Sequence, residues 1–269
     1  MTVTASCPAP SRLHTLLIGL IAGFGGGLAS LGGGTLLIPL LTGPAGLSSL
    51  EARGTALAVA TVSAVTGTAV YAHGGRVDWL PLLWTGIPAL IVAPLTARWS
   101  KQLPAVTLRR AFGVIVLIGG IVLLMLGEAQ LAGFAHGWRD PYLLGVGLLA
   151  GTVAGVVGVS GGPVLAPLFV LGLGMPQALA QGTSLVTRLP ATLTGLGENA
   201  REGNVCWGLL PTLVIGAFFG ALAGARIALL LPEPVLRSVF GVLLILLGVY
   251  EILGRPGHPA RHHHHDPYP

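Results

Sequence analysis

The chain has 269 residues, of which 53% are hydrophobic and 9% charged, with a formal net charge of +5. An ordinary soluble domain carries about 25% charged residues, so this chain cannot cover a water-facing surface and most of its outside must meet lipid. Its basic residues are scattered between apolar spans, where they set membrane orientation. They form no stripe that would bind nucleic acid.

Residues 1–12 read as a polar N-terminal tail. Apolar segments follow at about 13–42, 52–72, 79–98, 107–127, 142–172, 178–198, 208–230 and 234–253, with a longer connecting loop at 128–141. The first segment has Arg12 before it but no small-residue cleavage site after it, so it reads as a retained membrane segment. Most segments suit one helical crossing, and none alternates as a barrel strand would. Residues 254–269, ending "RHHHHDPYP", are Pro- and His-rich and read as a disordered tail. Cys7 and Cys206 lie in unrelated settings and suggest neither a disulfide framework nor a metal site. The expected fold class is an all-α polytopic membrane protein, multi-pass in the cell inner membrane.

The segments form two gapless internal repeats at an offset of 128, over 13–127 and 142–253. Gly19, Gly23 and Gly27 fall on Gly147, Gly151 and Gly155. Gly33, Gly34 and Pro39 fall on Gly161, Gly162 and Pro167, and Gly54-Thr55 falls on Gly182-Thr183. Trp79 falls on Trp207, Leu103-Pro104 on Leu231-Pro232, and Phe112-Gly113 on Phe240-Gly241. Duplicated halves are typical of transporters. Segments 13–42 and 142–172 are each too long for one crossing and carry a glycine break. Read as one broken crossing, each half has four spans and the halves are parallel. Read as a re-entrant hairpin plus three transmembrane helices, the halves are inverted. The basic connection with Arg98, Lys101, Arg109 and Arg110 should be cytoplasmic. Its counterpart, with Arg226, Glu233 and Arg237, is less basic, which favours inversion.

Gly19, Gly23, Gly27 and their partners have the spacing of close helix packing. The runs Gly32-Gly33-Gly34 and Ser160-Gly161-Gly162 differ. Consecutive glycines cost about 1 kcal/mol each in a helix relative to Ala, and each run is followed by a short apolar piece, "TLLIPLL" and "PVLAPLFV". Pro163 stands where a helix start tolerates proline. Each half is therefore expected to hold a helix that stops in mid-membrane and a half-helix that starts there, turning N–H groups and a positive dipole end inward. Gly33 and Gly161 are expected to be intolerant of bulk.

The stretches "GGGLASLGGGTLLIPLL" and "RGTALAVATVSAVTGTAVYAHGGRVDW", with "GVVGVSGGPVLAPLFV", "QGTSLVTRLPATLTG" and "GNVCW" in the second half, resemble the sulfite exporter TauE/SafE family of bacterial membrane permeases. The resemblance covers about residues 13–253. It implies export of sulfur-containing oxyanions: sulfite, sulfoacetate or related organosulfonates. The halves differ at Gly32/Ser160 and Thr35/Pro163, so the site is not expected to be symmetric.

The expected function is secondary transport of a small anion through a midplane site between the repeats. Candidate ligands are Gly32, Gly33, Gly34, Thr35, Gly54, Thr55, Ser160, Gly161, Gly162, Gly182, Thr183, Ser184 and Arg188. Arg188 is the sharpest of these. A charge at mid-bilayer costs roughly 2.5–3.5 kcal/mol and is usually functional, and its partner in the first half is Ala60. Glu198 lies on the same segment about 15 Å away, while the guanidinium fork suits an oxyanion. Alternatives are an anion channel, a permease for a different small anion, or a non-transporting membrane scaffold. An enzyme is not expected, because no acid, base and metal-ligand set lies together. No phosphate-binding G-x-x-x-x-G-K-[ST] motif is present and no cofactor is expected. Coupling to protons through Glu198 or His73, and a homodimer, are both compatible with the sequence.

Overall fold

The computed structural model describes residues 11–31, 34–43, 46–100, 104–125, 137–157 and 161–254. Over these residues the chain is helical: α1 Arg12–Ala29, α2 Gly34–Thr42, α3 Ser49–His73, α4 Ile87–Ser100, α5 Ala105–Met125, α6 Arg139–Val157, α7 Gly162–Leu173, α8 Gln177–Arg201, α9 Leu210–Leu230 and α10 Glu233–Leu253. A single π-helical turn, Leu82–Gly86, leads into α4. Five helices are long and apolar enough to cross a membrane: α1, α3, α9, α10 and the Val106–Met125 part of α5.

Local chemistry sets the boundaries. Helix α3 starts at a capping box, in which Ser48 accepts from Glu51 N and the Glu51 carboxylate accepts from Ser48 N. Helix α1 stops at Ser30, a non-glycine residue with φ 50°. The left-handed turn there breaks segment 13–42 into two helices. Helix α7 ends at Gly174 with φ 64°, which resets the chain before Pro176 and α8. The π turn before α4 has two anchors. Thr85 Oγ1 donates to the Leu143 carbonyl at 3.0 Å, and Gly86 lies so close to the Thr187 carbonyl that a Cβ would approach it to 3.2 Å.

Small residues decide how the helices pair. Gly19, Gly23 and Gly27 of α1 press on the backbone of Leu213, Ala217 and Ala221 in α9. Gly147, Gly151 and Gly155 of α6 press on Thr85, Ala89 and Ala93. Both pairings are parallel, and both have the backbone-to-backbone closeness that small-xxx-small spacing allows. Helices α5 and α10 are antiparallel, since Gly113 meets Gly248 and Gly120 meets Gly241. Helices α3 and α8 are antiparallel as well: Gly67 meets Leu185 and Gly195 meets Leu57. The outward faces carry large apolar residues such as Ile21, Ile91, Ile118, Phe219 and Leu246, as lipid contact requires.

These directions fix the path of the broken segments. Helix α3 runs parallel to α9, with Thr55 beside Cys206 at one end and Gly74 beside Leu229 at the other. Because α1 also runs parallel to α9, α2 must bring the chain back before α3 begins. Leu37 and Leu41 of α2 accordingly share a core with Ile18 and Ala22 of α1 and with Leu209 and Leu213. By the same logic α7 returns the chain between α6 and α8. Segments 13–42 and 142–172 are thus helical hairpins rather than broken crossings.

Candidate functional site

Arg188 sits near the middle of α8 and is 2% exposed. The start of α7 closes over it. A Cβ at Gly162 would lie 2.8 Å from Arg188 Nη1 and would collide with the Ser30 carbonyl oxygen. Gly162 therefore has to be glycine for the tips of the two hairpins and the guanidinium to meet. Ser30 belongs to the same junction: its Oγ lies 2.5 Å from Ser184 Oγ. The Ser184 hydroxyl also lies within donating reach of the Gln181 carbonyl, at 3.0 Å. Ser30, Gly162, Ser184 and Arg188 come from three elements, α1, α7 and α8, and converge at the depth where both broken segments turn.

The α7 start offers fewer donors than a generic helix N-terminus. Pro163 has no N–H, and the N–H groups of Val164 and Leu165 both bond the Gly161 carbonyl at 3.1 Å. Among the described residues, Gly161 and Gly162 are the ones that can contribute backbone donors there. Crowding also falls on Gly162 rather than on Gly161, whose added Cβ would come no closer than 3.2 Å to the Ala150 carbonyl.

Gly54, Thr55, Gly182 and Thr183 take part in helix-to-loop contacts. Thr55 Oγ1 accepts from Cys206 N at 3.0 Å, and Thr183 Oγ1 accepts from Asp78 N at 3.0 Å. Gly54 abuts the Asn204 carbonyl, and Gly182 abuts the Arg76 carbonyl. Gly32, Gly33 and Ser160 lie outside the described residues, as do the side-chain surroundings of Thr35; Gly34 opens α2. Asp78, whose N–H Thr183 binds, pairs through its carboxylate with Arg139 at 2.5 Å, which ties the α3–α4 connection to the start of α6.

Sequence reasoning missed Ser30, Tyr71, Gln177 and Gln181. Tyr71 is fully buried on α3, and its hydroxyl reaches Gln181 Oε1 at 2.6 Å and the Gly27 carbonyl at 3.1 Å. The two glutamines could have been found: Gln181 is an amide inside the 178–198 span and Gln177 stands just before it, both at helical spacing from Arg188. Among the described residues no group of three or more His, Cys, Asp and Glu side chains could hold a metal ion.

Long apolar helices, two helical hairpins and a cation buried where the hairpin tips meet define a multi-pass helical membrane protein with an internal polar site. Residues 3–123 and 143–269 match the family model described as sulfite exporter TauE/SafE, and the chain belongs to that family. It is similar to the probable membrane transporter protein YunE of Bacillus subtilis, 26% identical over 88% of this chain and 96% of that protein. A probable membrane transporter protein of Xylella fastidiosa strain Temecula1 is 26% identical over 90% of this chain and 95% of its own length. The probable membrane transporter protein MJ0441 of Methanocaldococcus jannaschii is 22% identical, covering 88% and 94%. No solved structure matches the chain.

Proposed function

We propose that the protein is a secondary transporter of the inner membrane that exports a small sulfur-containing oxyanion, such as sulfite, sulfoacetate or a related organosulfonate, bound at Arg188 between two inverted repeats. The observation that carries this reading is the position of Arg188. It is 2% exposed at a junction of three elements, in a molecule whose surface is otherwise apolar. Intramembrane ionisable residues are costly and usually functional. The guanidinium fork matches sulfonate or sulfite oxygens as it does other oxyanions, with the Gly162 backbone and the Ser30 and Ser184 hydroxyls as neutral neighbours. The substrate class itself is suggested by the family's description.

Contacts that recur at the 128-residue offset support the repeat. The hydrogen bond from Cys206 N to Thr55 has its counterpart in the one from Asp78 N to Thr183. The Gly19–Leu213 contact has its counterpart in Gly147–Thr85. Inversion is supported by helix direction. Offset-related helices α3 and α8 pack antiparallel, as do α5 and α10, so the axis exchanging them lies across the helices rather than along them. The basic connection around 98–110 then faces the cytoplasm.

Uptake of labelled sulfite or sulfoacetate into proteoliposomes containing the purified protein tests the function. Saturable, gradient-dependent flux that is lost in Arg188→Ala is expected. Absence of flux for every small anion tried would overturn the transporter reading and leave a scaffold.

A further inference from the structure

Gln177, Gln181, Ser184 and Arg188 stand at positions i, i+4, i+7 and i+11 of α8, so they form one stripe along the helix. Every one of them is buried, 2% exposed or less. The stripe runs about 16 Å, from the first residue of α8 down to Arg188. Its outer end lies beside the start of α10, where Gln177 N donates to the carboxylate of Glu233 in that helix's first turn.

The two glutamine side chains are not accounted for by the contacts among the described residues. Gln177 Nε2 and Oε1 and Gln181 Nε2 are buried with no hydrogen-bond partner among the described residues. A buried amide without partners is unfavourable, and an apolar side chain of similar size would avoid that cost. Three such atoms, on two amides one turn apart on the face that carries Ser184 and Arg188, indicate a line that something polar occupies at times. The remaining polar atom of the pair, Gln181 Oε1, is engaged by the Tyr71 hydroxyl, which also reaches the Gly27 carbonyl near the end of α1. That bridge ties α3, α8 and the first hairpin together directly above the Ser30–Ser184 contact.

We propose that Gln177, Gln181 and Ser184 line the route by which a small oxyanion passes between Arg188 and the membrane face where α8 begins, and that the Tyr71 bridge closes this route in the conformation seen. The proposal rests on reading Arg188 as the anion ligand. Neutral amides suit such a route: their N–H groups solvate an anion without holding it as a second cation would. Glu233 is the acidic group at the mouth. The corresponding stripe on α3 is Ser49, Arg53, Ala56 and Ala60, and its inner two positions are buried alanines. Among the described residues, the matching stripe on α3 therefore has no amide or cation at its inner end.

Thiol accessibility tests the route without using transport. Cysteines are placed singly at Gln177, Gln181 and Ser184, with Ala56→Cys as the control at the position matching Ser184, in a chain whose Cys7 and Cys206 are replaced by Ser. Right-side-out and inside-out vesicles are treated with a small, charged, membrane-impermeant methanethiosulfonate, and modification is read by mass spectrometry. The expected result is labelling at 177, 181 and 184 from one vesicle orientation only, slowing with depth, with Ala56→Cys protected in both. Tyr71→Phe, which keeps the ring and removes the bridge, should speed labelling at 184 by at least about fivefold. Protection of 181 and 184 with and without Tyr71→Phe would overturn the route, and so would labelling at 56 as fast as at 184. Sulfite present during the reaction reads the other claim. One-sided graded labelling that sulfite does not slow would keep the route and sink Arg188 as the anion's ligand.

Discussion

Helix α8 buries Ser184 and Arg188 where α3, at the matching positions, buries Ala56 and Ala60. Several of their contacts nevertheless recur. Each has a Gly-Thr pair whose glycine abuts a loop carbonyl and whose threonine hydroxyl accepts a loop N–H at 3.0 Å. Each crosses the other at the same pair of matched positions. The contacts that hold the two helices in place recur at matching positions, while the buried cation and buried amides lie on α8. Packing and chemistry are thus written on separate residues, and the site can be lopsided without distorting the bundle.

The largest expected effect comes from removing what is unique to α8. Arg188→Ala should lower sulfite uptake by about 100-fold or more, because hydrogen bonds to a charged group are among the strongest single contacts available. Membrane insertion should be unchanged. The double variant Arg188→Ala/Ala60→Arg moves the cation to the matching place on α3 and should recover nothing, since the start of α7 and the α8 amides stay behind. Recovery of uptake in the double variant would show that either helix can host the anion, and the asymmetry would lose its meaning.

The next effect is steric. Gly162→Ala puts a Cβ against the Ser30 backbone and 2.8 Å from Arg188 Nη1. Backbone cannot give way as a flexible side chain can, and overpacking of this kind costs about 1–3 kcal/mol. Uptake should fall by roughly tenfold or more, while Gly161→Ala, which meets only the Ala150 carbonyl at 3.2 Å, should fall by less than about threefold. Equal losses in both would mean that any side chain at the break is harmful, whatever it touches.

Much of this was legible in the sequence because it rests on local chemistry. The runs at Gly32-Gly33-Gly34 and Gly161-Gly162 stand beside the two helix breaks, although Gly25-Gly26-Gly27 stays inside α1, and Arg188 is conspicuous in any apolar span. The offset of 128 carries Thr55 onto Thr183 before any contact is known. What stayed hidden depends on where distant segments meet. Whether 13–42 crosses or turns back is decided by the direction of α9 relative to α1, and no local signal carries that. Ser30 looks like any serine in a small-residue stretch; its role follows from a left-handed φ and from a neighbour 154 positions away. The sequence marks Gly33 and Gly161 as intolerant of bulk but does not single out Gly162, whose close approach is to Ser30 and Arg188, on two other elements.

The smallest effects should come from the shared scaffold, and they should still differ between the halves. Thr55→Val and Thr183→Val are close in shape, and each removes the acceptor of one loop N–H. Leaving a buried N–H unsatisfied costs about 1–3 kcal/mol, while one that can reach water costs less. Cys206, the donor to Thr55, is fully buried. Asp78, the donor to Thr183, lies in a connection whose side chain is 27% exposed and is held independently by Arg139. Thr55→Val should therefore fall at the upper part of that range and Thr183→Val near its lower end, measured as the loss of thermal stability of the purified protein in one detergent. If Thr183→Val proves the more damaging, then the Asp78 connection depends on its threonine more than on its ion pair. A second substitution, Arg139→Gln, would read that dependence directly: it should add little to wild type but become costly on top of Thr183→Val, because the two contacts hold the same connection.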